Sequence, residues 1–454
     1  MKSINPANGE TLNEYGETQP DQIDAILERA EAAHRAWRRT AFAERSACLR
    51  SAGDVLRGKR EELALLMTLE MGKPIVQARA EVDKCAWVCD YYADGGAGFL
   101  ADEMVATDAA KSYVTFQPLG VVLAIMPWNF PFWQVFRFAA PTLMAGNAGV
   151  LKHAGNVTGC ALAIESVIQE AGFPPDLFRT LVIPAARVAG VIAHPLVRAV
   201  TLTGSTAAGR AVAAAAGAEV KKTLLELGGS DAYVVLEDAD LNRTVASCVT
   251  SRLINGGQSC IAAKRFVVVE AVLGEFTERF RASMADSVMG DPRREDVALG
   301  PQARTDLRDE LHRQVTASIA AGARLLCGGV VPEGPGAYYP PTVLADVRAG
   351  MPAYDEELFG PVAAIIGARD ETDALRIAND SPYGLGAAVF TQDVARGERL
   401  AREELHAGAC FVNAFVKSDP RLPFGGIKAS GYGRELGLLG IREFVNAKAV
   451  FVAQ

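Results

Sequence analysis

The sequence predicts an α/β protein built on two doubly wound parallel sheets. Three observations carry that expectation: short apolar runs without in-out alternation, helical segments between them, and a chain of 454 residues, too long for a single growing core. Composition agrees, since 50% hydrophobic, 22% charged and 7% aromatic residues are ordinary globular proportions. Disordered, collagen-like and small disulfide-stapled classes are excluded.

Helices come first. Ile23, Ile26, Leu27, Ala30 and Trp37 keep helical spacing with Asp21 as a candidate N-cap, and further helices read over 44–56, 61–71 and 76–92. Strands are then expected at 113–116 and 121–126. Apolar runs at 149–151, 181–183 and 197–202 alternate with helices at 161–171 and 207–216, which is the texture of a covered parallel sheet. A second series repeats it: strands at 233–236 and 266–269, helices from Leu241 and through Phe276 and Phe280, then strands at 387–390 and 410–412. The last apolar run, 449–453, is a strand in need of a partner.

Charge and cysteine usage narrow the function classes. Forty-six Lys plus Arg against fifty-four Asp plus Glu leave a net charge of −8, with no basic footprint for nucleic acid. Met1 to Pro6 lacks the apolar run of a signal peptide, and no apolar stretch approaches the roughly 18 residues of a bilayer span. A cytoplasmic protein without membrane or nucleic-acid partners is expected. The 8 cysteines and 5 histidines are dispersed, so neither a disulfide framework nor a metal site is indicated.

Four segments beside predicted strands carry candidate chemistry. Asn129 stands between Pro127 and Pro131, where a rigid amide could donate to an oxyanion or merely form an Asx-turn. Thr203-Gly204-Ser205 opens a helix whose first amides suit an anion, although it is not a GxGxxG fingerprint. Glu226 interrupts the apolar run 224–227, where burial would raise its pKa toward that of a general base, or a partner would make it structural. Cys260 follows Gly256 and Gly257, without a nearby histidine to activate it.

Taken together, Pro127-Trp128-Asn129-Phe130-Pro131, Leu225-Glu226-Leu227-Gly228-Gly229-Ser230, Gly257-Gln258-Ser259-Cys260, Glu357-Leu358-Phe359-Gly360-Pro361, Asn413 and Pro423-Phe424-Gly425-Gly426 resemble, in order, the signature set of the aldehyde dehydrogenase superfamily. The resemblance covers essentially the whole chain. It implies that Cys260 attacks the aldehyde carbon, that Asn129 and the Cys260 amide hold the oxyanion, and that Glu226 activates water against the resulting thioester. It implies further that Trp128, Lys152, Gly155, Gly204, Ser205, Leu227, Glu357 and Phe359 surround NADP or NAD. The family architecture would divide the chain into a dinucleotide-binding domain (1–105 and 119–227), a catalytic domain (228–435) and a small β oligomerisation arm (106–118 and 436–454). A homodimer or homotetramer follows from that arm.

Two departures bear on specificity. Where many family members carry a carboxylate that accepts the adenosine ribose hydroxyls, this chain reads Lys152-His153-Ala154-Gly155, which removes repulsion against a 2′-phosphate and favours NADP. Trp133 and Arg137 follow Asn129 at four-residue intervals, so all three approach one helix face. Arg137 then either binds a substrate carboxylate or forms an inter-domain ion pair. With Ser418 and its rival cation Arg421 in the segment 417–421, these residues are similar to those of bacterial succinate-semialdehyde dehydrogenases. A small-molecule aldehyde with a distant carboxylate is the expected substrate. Alternatives are a broader aliphatic or glutarate-semialdehyde enzyme and, in another class, a cysteine acyltransferase or esterase.

Overall fold

The computed structural model describes residues 1–453. Its two large sheets are the two expected α/β units. The first has six strands in the order Gly431–Tyr432, Lys222–Glu226, Val197–Thr203, Val121–Met126, Ala148–His153, Phe178–Thr180. All are parallel except Gly431–Tyr432, which runs antiparallel to Lys222–Glu226. From Val121–Met126 the chain winds outward through two strands, then returns to the other side at Val197–Thr203. That reversal opens a crevice between the carboxyl ends of Val121–Met126 and Val197–Thr203, the place where such sheets hold ligands.

The second sheet orders seven strands as Arg324–Cys327, Thr342–Ala345, Val362–Ala368, Ala263–Val269, Asp231–Val235, Gly386–Phe390, Ala409–Val412. Only the first of these is antiparallel. Its central strands are buried along their whole length, as apolar runs without alternation require. In a third sheet, Val445–Val452 pairs with Lys111–Pro118 in unbroken antiparallel register, Glu103–Met104 adding a short third strand. Among the described residues Val445–Val452 has no second neighbour, and its Phe451 is 60% exposed.

Several expectations are corrected. Helix Pro20–Trp37 is capped two residues earlier than Asp21: Gln19 precedes Pro20, and the Gln22 side-chain carbonyl accepts the Gln19 amide at 2.9 Å. The strand read at 181–183 lies at Phe178–Thr180, because Leu181 gives its last sheet contact to Leu151 and Pro184 has no amide with which to continue. Residues 431–432, assigned by resemblance to the catalytic unit, extend the first sheet instead.

Helix Trp133–Met144 carries the residues behind the site, and every one of its side chains is buried. Burial of Phe136, Phe138 and Leu143 stabilises the fold by roughly 1.5–3 kcal/mol each. The amides of Phe132 and Trp133 at its start, which have no partner within the helix, are both accepted at 2.9 Å by the Glu81 carboxylate. Glu81 is in turn paired with Lys73, buried on all sides and lying over the Phe130 ring.

Candidate active site

Three loops leave the carboxyl ends of the first sheet beside its crevice. The loop after Val121–Met126 carries Trp128 and Asn129, that after Val197–Thr203 carries Gly204 and Ser205, and that after Lys222–Glu226 begins with Leu227. The second sheet contributes from its opposite ends. Cys260 precedes Ala263–Val269 and Glu357 precedes Val362–Ala368, so these two residues sit at the leading ends of parallel strands. Segment 254–257 is bent by positive φ at Asn255, Gly256 and Gly257. A Cβ at Gly257 would collide with the backbone of Gly360 and Pro361, so only glycine lets the two segments approach.

This packing brings Asn129 against the segment that leads into Cys260. The Asn129 side-chain N–H donates to the Gln258 carbonyl at 3.0 Å, its Oδ1 accepts from Gln134 at 3.1 Å, and Asn255 donates to its backbone carbonyl at 2.6 Å. The carboxamide is therefore oriented from both ends, with one N–H left over. Cys260 lines a cavity of about 200 Å³ together with Trp133, Arg137, Ser418, Phe424 and Lys84. Burial pushes its thiol up to about 12, opposed by the Lys264 and Arg137 charges. Lys264, itself fully buried, donates to the carbonyls of Ser259 (2.8 Å) and Cys260 (2.6 Å) and lies 3.3 Å from Glu357.

Glu226 ends its strand 2% exposed, and neither carboxylate oxygen has a hydrogen-bond partner among the described residues. Burial holds this carboxyl well above the usual range, and the neighbouring Glu435 carboxylate raises it further against Arg137 and Arg434. Such a group is a candidate proton acceptor rather than a salt-bridged strand residue.

Around the crevice, Ser205 caps helix Thr206–Ala218 by accepting the Ala208 amide at 3.3 Å, and the Gly204 amide donates to the Glu226 carbonyl at 2.9 Å. The further amides at this helix start suit a phosphate. Leu227 packs against Gly209, where a Cβ would strike its side chain at 2.6 Å. Trp128 and Phe359 meet edge to face at 5.7 Å, and Glu357 accepts the Gly229 amide at 3.0 Å. Half-buried Lys152 lies near the end of strand Ala148–His153, three residues before the 3-10 turn Gly155–Val157. The arrangement of phosphate turn, aromatic wall and cation fits a dinucleotide.

On the substrate side, the Trp133 indole donates to Ser418 Oγ at 3.1 Å. Arg137 reaches the cavity, but its Nε is ion-paired with Glu435, both side chains being almost fully buried, and its guanidinium lies over the Phe424 ring at 4.7 Å. The ion-pair reading of Arg137 is thus realised alongside its place in the cavity wall. Arg421 is turned to Asp419 at 2.7 Å. Sequence reasoning missed Lys84, Gln134, Lys264 and Glu435. The signal for Lys84 was available: Gln77, Ala80, Glu81 and Lys84 recur at three- and four-residue spacing on helix Ile75–Phe99 and all line the cavity.

Comparison with known proteins agrees with this geometry. The model of the aldehyde dehydrogenase family matches residues 1–450. A Synechocystis protein named "probable succinate-semialdehyde dehydrogenase, NADP(+)" is 51% identical over 453 residues, covering 100% of both chains. An Escherichia coli succinate semialdehyde dehydrogenase, NAD(P)+, is 49% identical over 99% of this chain and 97% of its own. The crystal structure of succinic semialdehyde dehydrogenase from Streptococcus pyogenes in complex with NADP+ superposes with a TM-score of 0.98 at 37% identity, covering 100% of each chain. A thiol, a rigid amide and a buried carboxyl meeting at a dinucleotide crevice, in a chain matched from end to end, place this protein in the aldehyde dehydrogenase family.

Proposed function

We propose that this protein oxidises succinic semialdehyde to succinate with NADP+ as the preferred acceptor. The observation that carries the reading is one small cavity lined by Cys260, by the cations Lys84 and Arg137 and by the Ser418 hydroxyl. An aldehyde with a distant carboxylate places its two ends on these groups. The names of the relatives from Synechocystis and Escherichia coli support the same substrate. Gly155 and Lys152 support NADP, since no carboxylate opposes a 2′-phosphate there.

In the reaction, the Cys260 thiol loses its proton to solvent and adds as thiolate to the aldehyde carbon, and the free Asn129 N–H with the Cys260 amide stabilises the oxyanion of the thiohemiacetal. Glu357 and Phe359 would hold the nicotinamide end of the dinucleotide, which would supply the hydride acceptor. Collapse leaves a thioester on Cys260. Glu226, with both oxygens unengaged, takes a proton from water as that water attacks the thioester, and the thiol is released with succinate. The cytoplasm is the compartment that suits eight free thiols. The unpaired edge of Val445–Val452 suits assembly into a dimer or a dimer of dimers, which light scattering measures.

A panel of aldehydes read by NADPH and NADH formation tests the reading, with Cys260→Ala as the blank. The expected result is highest kcat/KM for succinic semialdehyde with NADP+. A higher value for uncharged aldehydes of equal length, or a large preference for NAD+, overturns it.

A further inference from the structure

Three side-chain cations line the cavity around Ser418, and they are not equivalent: Lys417 is exposed to solvent, whereas Lys84 is partly buried and Arg137 buried. Arg137 is compensated: Glu435 pairs with it, Phe424 covers one face, and Thr203 lies 3.4 Å from its Nη2. Lys84 makes no ion pair among the described residues. Its single hydrogen bond is to the neutral Ser418 Oγ at 2.8 Å, and its ammonium lies 4.2 Å from the Trp133 ring centroid. Ser418 also accepts the Trp133 indole N–H, so Lys84, Ser418 and Trp133 form one connected wall. The charge there faces the cavity without a counter-ion, and a substrate carboxylate would supply one.

We infer that Lys84, acting with the Ser418 hydroxyl, is the specificity-determining residue that selects a carboxylate-bearing aldehyde at this site. The inference rests on the succinic semialdehyde reading above and names the group that reads the distal charge. Arg137 contributes field but keeps Glu435 as its partner, whereas the Lys84 ammonium has two N–H groups to offer. The groups facing Lys84 are Arg137 from the neighbouring helix, Asp419 beside Ser418, and Glu81 and Cys85 on its own helix. Burial first and the Arg137 charge second bring its ammonium down to about 8, so its charge is lost on the alkaline side of neutrality.

The experiment compares kcat/KM for succinic semialdehyde with that for butanal, an uncharged aldehyde of equal length, in the full-length enzyme with saturating cofactor. Taking this ratio cancels the ionisation of Cys260, which both substrates need. Lys84→Met is expected to lower the ratio about 10- to 100-fold, the value of one charge-assisted contact in a buried site. Lys84→Arg is expected to retain it. In the wild-type enzyme the ratio falls about tenfold between pH 7 and pH 9, as a group titrating near 8 requires, while Lys84→Arg holds it flat. A wild-type preference that Lys84→Met leaves intact overturns the role of Lys84 alone. No wild-type preference over butanal overturns the substrate reading beneath it. If Lys84→Met does not fold, Lys84→Gln decides, and a ratio that it leaves at the wild-type value refutes the inference.

Discussion

The oxyanion contact of Asn129 can be weighed from its hydrogen bonds. Its carboxamide is 3% exposed, one N–H is engaged by the Gln258 carbonyl at 3.0 Å, and Gln134 holds Oδ1 at 3.1 Å. One N–H therefore remains, shielded from water, and in the proposed reaction it serves the developing alkoxide. Asn129→Ala removes that donor, and a preorganised oxyanion donor is worth about 2.7–4 kcal/mol, or roughly 10²–10³ in rate. Gln134→Leu removes only the group that fixes the amide's orientation. A flipped amide would turn its oxygen toward the Gln258 carbonyl, so the flip stays disfavoured and the cost is about 1 kcal/mol, roughly fivefold. Stopped-flow measurement of NADPH formation separates the acylation burst from the slower thioester hydrolysis. Both substitutions should slow the burst, in that order of severity. A burst of wild-type rate in Asn129→Ala, with only the steady state slowed, would refute the assignment.

Three further outcomes are expected. Glu226→Gln should give about one NADPH per Cys260 and then turn over at least about 10²-fold more slowly, with the acyl-enzyme visible by mass spectrometry. Because Glu226 is held above the usual carboxylate range, hydrolysis rises with pH as it ionises. Glu435→Gln removes a carboxylate that raises it further, so that limb of the kcat profile should move to lower pH; a shift to higher pH contradicts the coupling. Gly155→Glu places a carboxylate two residues beyond the strand that carries Lys152, where its Cβ meets only the flexible Met1 side chain at 3.0 Å. The NADP/NAD ratio of kcat/KM should fall about tenfold or more through repulsion of the 2′-phosphate, and an unchanged ratio removes Gly155 from cofactor selection. Glu81→Gln leaves Lys73 buried without its counter-ion and weakens the start of helix Trp133–Met144. A loss of about 3–5 kcal/mol is expected in urea unfolding, and a loss below about 1 kcal/mol shows the pair to be dispensable.

How far the sequence reads depends on how local the determinant is. The strands near 121–126, 197–202, 233–236 and 266–269 were legible because a strand buried on both faces writes itself as an unbroken apolar run. Asn129, Glu226 and Cys260 were legible as ambiguous candidates, each with an ordinary structural alternative that its own neighbourhood could not exclude. The motif order selected among them. What was not legible is pairing across the chain. Glu435 neutralises Arg137 from 435 − 137 = 298 positions away, and nothing around either residue announces the other. Lys84 is solvent-typed by composition and reaches the cavity only because its helix packs against Trp133–Met144. The strand Gly431–Tyr432 is too short to have a periodicity.

That short strand has a consequence for how the molecule is made. It borders the strand that ends in Glu226, and its Gly431 lies so close to the Leu225 carbonyl that a side chain there would collide with it. On a ribosome, the first sheet can assemble its five parallel strands early, but its outer border arrives only after almost the whole chain has emerged. A polypeptide released before Gly431, even one that retains Cys260 and the entire nucleotide crevice, lacks the border against which Glu226 is set.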